Sequence, residues 1–98
     1  RENSEAYRKN RDLLYNRLTE YGFDCVKPDG AFYLFVRSPE PDAYAFYERA
    51  KAPEILVVPC DDFGVQGYVR IAYCTSEETV KGALPGFLEL AKEYGIAK

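Results

Sequence analysis

The sequence predicts a two-layer α+β domain in which three helices cover one face of a mostly antiparallel, four-stranded sheet. Three observations carry this. Apolar residues recur at helical spacing near both ends of the chain and again in its middle, while four short branched or aromatic runs, punctuated by Pro and Gly, lie between them. The resulting order is α, β, β, α, β, β, α. Ninety-eight residues, 47% of them hydrophobic and including nine Tyr and six Phe, supply one modest core, so all seven elements belong to a single unit.

The first helix covers residues 4–21. Tyr7, Leu14, Leu18 and Tyr21 form its apolar stripe, Asn3 or Ser4 its N-cap, and Gly22 its left-handed C-cap. Residues 23–27 are short and mixed. The turn signal Pro28-Asp29-Gly30 and the aromatic, branched run 31–37 make an antiparallel hairpin with them. In that second strand Phe32, Leu34 and Val36 share one face and Tyr33, Phe35 and Arg37 the other. Asp42 caps a second helix over 42–51 with Ala43, Phe46, Tyr47 and Ala50 on its buried stripe, and Pro53 ends it. The run 55–58, stopped by Pro59, reads as a strand covered on both faces. Residues 68–74 alternate cleanly: Val69, Ile71 and Tyr73 suit a core face, which puts Tyr68, Arg70, Ala72 and Cys74 on the other. Thr75, three residues before Glu78, opens a capping box for a last helix running to about Tyr94, with Val80, Ala83, Leu84, Phe87, Leu88 and Ala91 as its stripe and Gly95 as its cap. Pro85 inside that helix frees the Lys81 carbonyl and predicts a kink or loosened turn.

Composition excludes several classes of function. A net charge of −3, spread along the chain, lacks the basic footprint of a nucleic-acid binder. No apolar run is long enough to span a bilayer as a helix, and the charged, helical start is not a signal peptide. Cys25, Cys60 and Cys74 have no C-x-x-C spacing, and there is no His to complete a zinc site or a Cys-His pair, so free thiols in a reducing cytoplasm are the expectation. With no Met and an opening Arg1 almost inside a helix, the chain reads as a processed or excised piece.

No catalytic constellation is complete within these residues. Asp61-Asp62 and Glu77-Glu78 read as a solvated turn and a helix start, where the helix dipole favours negative charge. Gly64-x-x-Gly67 precedes a strand instead of opening a helix, so it is no phosphate cradle. Arg70 stands out as a single cation in an otherwise uncharged strand. A guanidinium is a permanently charged planar fork of donors, suited to a carboxylate or phosphate, but such an arginine can equally pair within its own domain or reach to solvent. Phe32 and Tyr33 are core aromatics or ligand contacts. The face that carries Arg70 and several aromatics has no helix over it, the pattern of a surface that meets a partner.

The motif P-D-G-A-F-Y-L-F-V at 28–36, followed by P-C-D-D-F-G-V-Q-G-Y-V-R-I-A-Y-C at 59–74, resembles the C-terminal small domain of class I/II aminotransferases, the fold-type I enzymes that depend on pyridoxal 5′-phosphate. The resemblance covers nearly the whole chain, with Cys60 standing where the family usually has Gly. It implies that Arg70 binds the α-carboxylate of an amino-acid or 2-oxo-acid substrate, with Phe32 and Tyr33 near the substrate entrance. It further implies that the cofactor lysine, the partner of the pyridine nitrogen and the phosphate cup belong to a large domain upstream, that this piece is inactive alone, and that the intact enzyme is a homodimer. The style of the Arg70 strand leans toward aspartate or aromatic substrates. A carbon-sulfur lyase of the same fold, a stand-alone domain binding small carboxylates, and an interaction module docking through the open sheet face are the competing readings.

Overall fold

A computed structural model describes residues 4–26, 33–50, 57–59 and 67–97. The helices are α1 (Ser4–Tyr21), α2 (Ala43–Ala50) and α3 (Glu77–Glu93), and the strands are β1 (Cys25–Val26), β2 (Tyr33–Arg37), β3 (Val57–Pro59) and β4 (Tyr68–Ala72). The strands hydrogen-bond in the order β1-β2-β4-β3, every pair antiparallel. β2, β4 and β3 form the body of the sheet, and the two residues of β1 extend it beyond β2. Leu34 lies opposite Ile71 and Val36 opposite Val69, so one face carries a continuous branched patch. All four residues are fully buried or within 1% of it. Each such side chain contributes about 1.5–3 kcal/mol by leaving water.

All three helices lie on that patch. Leu14 and Leu18 of α1, Phe46 and Ala50 of α2, and Val80, Leu84, Phe87 and Ala91 of α3 join it in one core. Phe23, just after α1, meets Phe46 at 5.8 Å and Phe87 edge-on at 6.1 Å, tying the three helices together through one aromatic residue. The opposite sheet face carries Tyr33, Phe35, Tyr68, Arg70 and Ala72, all half-buried. The alternation read in residues 68–74 is therefore the alternation the fold uses, with Val69, Ile71 and Tyr73 in the core.

The helix ends follow backbone chemistry. The Asp42 carboxylate accepts from the Tyr44 and Ala45 amides at 3.0 and 3.3 Å. α1 closes with the Phe23 amide on the Leu18 carbonyl and the Gly22 amide on the Thr19 carbonyl. α3 closes in the same manner, Ile96 to Ala91 and Gly95 to Lys92, with a positive-φ glycine at each end. At the start of α3 the structure corrects the reading by one residue. The cap is Ser76, whose hydroxyl accepts from the Thr79 amide at 3.0 Å, not Thr75 with Glu78. Thr75 instead turns its carbonyl to α1. Leu90 is buried and Leu88 only half-buried, because the core widens around the end of α3 where Phe46 and Tyr94 pack edge-on at 5.8 Å. α3 runs on through Pro85, which sits on its exposed side, where solvent can serve the Lys81 carbonyl. β3 includes Pro59; as an edge strand it can hold a residue with no amide hydrogen. The Pro28-Asp29-Gly30 turn, Pro53 and the loop with Cys60, Asp61, Asp62 and Gly64 lie outside the described residues.

One tie was not foreseen. Asn10, on the buried side of α1 and only 1% exposed, donates from Nδ2 to the Tyr73 carbonyl at 3.1 Å and the Thr75 carbonyl at 2.6 Å. It fixes the first helix to the point where β4 leaves the sheet for α3. At the far end of the helix layer, Arg49 pairs with Glu93 and stacks over Tyr94 at 4.5 Å, while the Tyr94 hydroxyl donates to Glu40. Burial, then that bond, raises the Tyr94 phenol pKa.

Candidate functional site

Arg70 is the middle residue of β4, an interior strand flanked by β2 and β3, and lies opposite Phe35 on one side and Val58 on the other. Val69 and Ile71, its neighbours in sequence, are fully buried against the helices. Period-2 alternation therefore forces Arg70 onto the other face, and the hydrogen-bonded strands on both sides hold its backbone. The strand fixes where the side chain starts.

The side chain does not stand over Phe35, its direct cross-strand neighbour. Its Cζ lies 4.6 Å from the centroid of the Tyr33 ring. Tyr33 pairs with Ala72, so it is the diagonal neighbour of Arg70, at the first residue of β2. The arginine thus leans along the sheet toward the start of β2, its charge resting on an aromatic ring. A cation seated this way on a half-buried ring gains about 1 kcal/mol. Arg70 and Tyr33 are thereby brought together. Phe32, the third residue singled out in the sequence, lies outside the described residues. Phe35, passed over as a site residue, is the direct neighbour of Arg70; the i, i+2 spacing from Tyr33 in an alternating strand was the signal for it.

Among the described residues, other polar groups include surface ion pairs and two thiols. Glu77 is held by Lys81 at 3.1 Å, which lowers its pKa, and Lys92 lies 3.6 Å from Glu89. Arg37, the other cation on the Arg70 face of β2, is exposed and 3.9 Å from Asp24. Burial pushes the Cys25 thiol up to about 11 and also raises Cys74, so neither is poised as a nucleophile. Among the described residues no group of three His, Cys, Asp or Glu side chains converges as a metal site, and no helix is long and apolar enough to cross a membrane. This face presents a guanidinium beside aromatic rings, a chemistry suited to an anionic ligand.

The family model for aminotransferase class I and II matches residues 1–86. The chain is 46% identical over 85 residues to the aspartate/prephenate aminotransferase of Thermus thermophilus, covering 85% of this chain and 22% of that protein. It is 38% identical over 92 residues to aromatic-amino-acid aminotransferase 2 of Thermococcus litoralis, covering 89% and 24%. Among solved structures, an amino transferase from Eubacterium rectale superposes with a TM-score of 0.84 at 50% identity, over 92% of this chain and 23% of that one. The chain thus spans about a quarter of the length of the proteins it resembles.

Proposed function

Because the chain belongs to the class I and II aminotransferase family, we propose that in the full-length enzyme it forms the part that grips the α-carboxylate of an amino-acid or 2-oxo-acid substrate, with Arg70 as the ligand. The observation that carries this reading is the seat of Arg70: the interior strand of the sheet, the face away from the helices, and a guanidinium laid on the Tyr33 ring. A carboxylate is the group common to all amino acids, and a fork of in-plane donors holds it in one orientation, which also fixes the direction of the Cα bonds. Relatives named for aspartate/prephenate and for aromatic amino acids favour those substrates. The full-length enzyme is read as a cytosolic homodimer, in keeping with the family and with the free thiols Cys25 and Cys74.

The described residues do not fit pyridoxal 5′-phosphate. Lys9, Lys81 and Lys92 are exposed on helices, in the layer away from Arg70, and two of them pair with carboxylates. The family resemblance implies a cofactor lysine in the large domain, and binding and orientation are the contribution we assign to this part.

Arg70→Lys in the full-length enzyme tests the reading. Replacing a bidentate fork by a single ammonium forfeits a charge-assisted hydrogen bond, about 1.5–3 kcal/mol, or roughly a 10- to 150-fold rise in KM for the amino acid. The cofactor's absorbance stays as in the parent. An unchanged KM overturns the assignment.

A further inference from the structure

We propose that Tyr33 is a positioning residue for Arg70, acting through the face of its ring and not by touching the substrate. The inference rests on the carboxylate-binding reading of Arg70 and extends it to the residue that sets the direction of the guanidinium. Two cross-strand aromatics are within reach of that group: Phe35, directly opposite, and Tyr33, diagonally opposite. An arginine side chain has four rotatable bonds and can fan over either, yet the Cζ sits 4.6 Å from the Tyr33 centroid. Tyrosine and phenylalanine present similar quadrupoles, so the choice reflects position along the strand, and it carries the charge toward the first residue of β2. A ring under the guanidinium narrows its rotamers without itself adding an opposing charge. Freezing the side chain before binding lowers the entropic cost of capturing a carboxylate, so the contact acts on substrate affinity more than on the chemical step.

The test uses the full-length enzyme, with KM and kcat measured for an α-amino acid and for the amine of the same side chain lacking the α-carboxylate. Tyr33→Leu is expected to raise KM for the amino acid by roughly three- to thirtyfold, the span of a cation–π contact, with a much smaller change in kcat and no matching loss on the amine. Tyr33→Phe, which keeps the ring and removes the hydroxyl, recovers most of the lost affinity. An equal loss on both substrates assigns Tyr33 a structural role only, and a Phe variant as impaired as the Leu variant assigns the hydroxyl a direct contact; either overturns the proposal, as does a Leu variant with unaltered KM. Arg70→Lys run beside them separates the two levels. If it leaves KM untouched, the carboxylate reading falls and this inference with it, whereas a normal Arg70→Lys effect with a silent Tyr33 series removes this inference alone.

Discussion

Asn10 gives the most demanding test of how the chain is held together. Its Nδ2 serves two backbone carbonyls at once, those of Tyr73 and Thr75, and the side chain is essentially sealed from solvent. Asn10→Ala deletes two hydrogen bonds and strands the buried Tyr73 carbonyl. The Thr75 carbonyl, only partly buried, can turn to water. A net bond is worth about 1 kcal/mol and an unsatisfied buried acceptor costs about 1–3 kcal/mol, so the substitution is expected to cost roughly 2–4 kcal/mol. In a domain of this size that lowers Tm by roughly 10–30 °C. Urea unfolding followed by circular dichroism reads it as a lower midpoint with a similar slope. Asn10→Asp adds a charge-dependent arm. At neutral pH it points a carboxylate oxygen at two carbonyls, so the folded-state pKa of the new group is raised above its unfolded value. The protonated acid regains one donor, so the deficit relative to the parent is smallest below pH 4 and grows as pH rises through the raised pKa. An Asn10→Ala cost below about 1 kcal/mol, or an Asn10→Asp deficit equal at pH 4 and pH 7, refutes the account of Asn10 as the tie between α1 and the end of β4.

Two further outcomes follow from the same geometry. Gly22 has φ of +109°, and a Cβ there would stand 2.0 Å from the Ile96 carbonyl oxygen and 2.9 Å from its carbon. Gly22→Ala combines an unfavourable left-handed backbone, about 1–2 kcal/mol, with a clash that must push α1 off the C-terminal segment; a loss of at least about 3 kcal/mol in urea is expected, and a loss under 1 kcal/mol refutes it. The Cys25 thiol, raised to about 11 by burial, favours the neutral form in the fold, so its contribution is complete below the unfolded thiol pKa and is lost as pH climbs from about 9 toward 11. Titration of unfolding free energy over that range in the parent and in Cys25→Ala checks the sign, and thiol labelling at pH 8 is expected to modify exposed Cys74 well before half-buried Cys25.

Local chemistry was legible wherever a residue's role depends on its near neighbours. The alternation of residues 68–74 put Arg70 on the face away from the helices, because Val69 and Ile71 leave it no other side. Gly22 and Gly95 marked two helix ends because a positive φ there is cheap only for glycine. Ser76 displaced Thr75 as the cap for a reason sequence spacing does not contain: the Thr75 carbonyl is drawn to Asn10, sixty-five residues away. Leu90 replaced Leu88 on the buried stripe because the end of α3 packs beside Phe46 and Tyr94, which a single helical period does not encode.

The same division runs through the candidate site. The sequence by itself determined that Arg70 lies on a strand, that it faces away from the helical layer, and that Tyr33 and Phe35 share one face of their own strand, since these depend only on a period of two. Tertiary structure alone decided the register that makes Phe35 the direct and Tyr33 the diagonal neighbour, and the lean of the guanidinium onto Tyr33. Register is set by how β2 and β4 bury Leu34, Val36, Val69 and Ile71 together, and a slip of one residue would turn that patch toward the other face. The direction of the arginine is therefore a consequence of the core on the far side of the sheet.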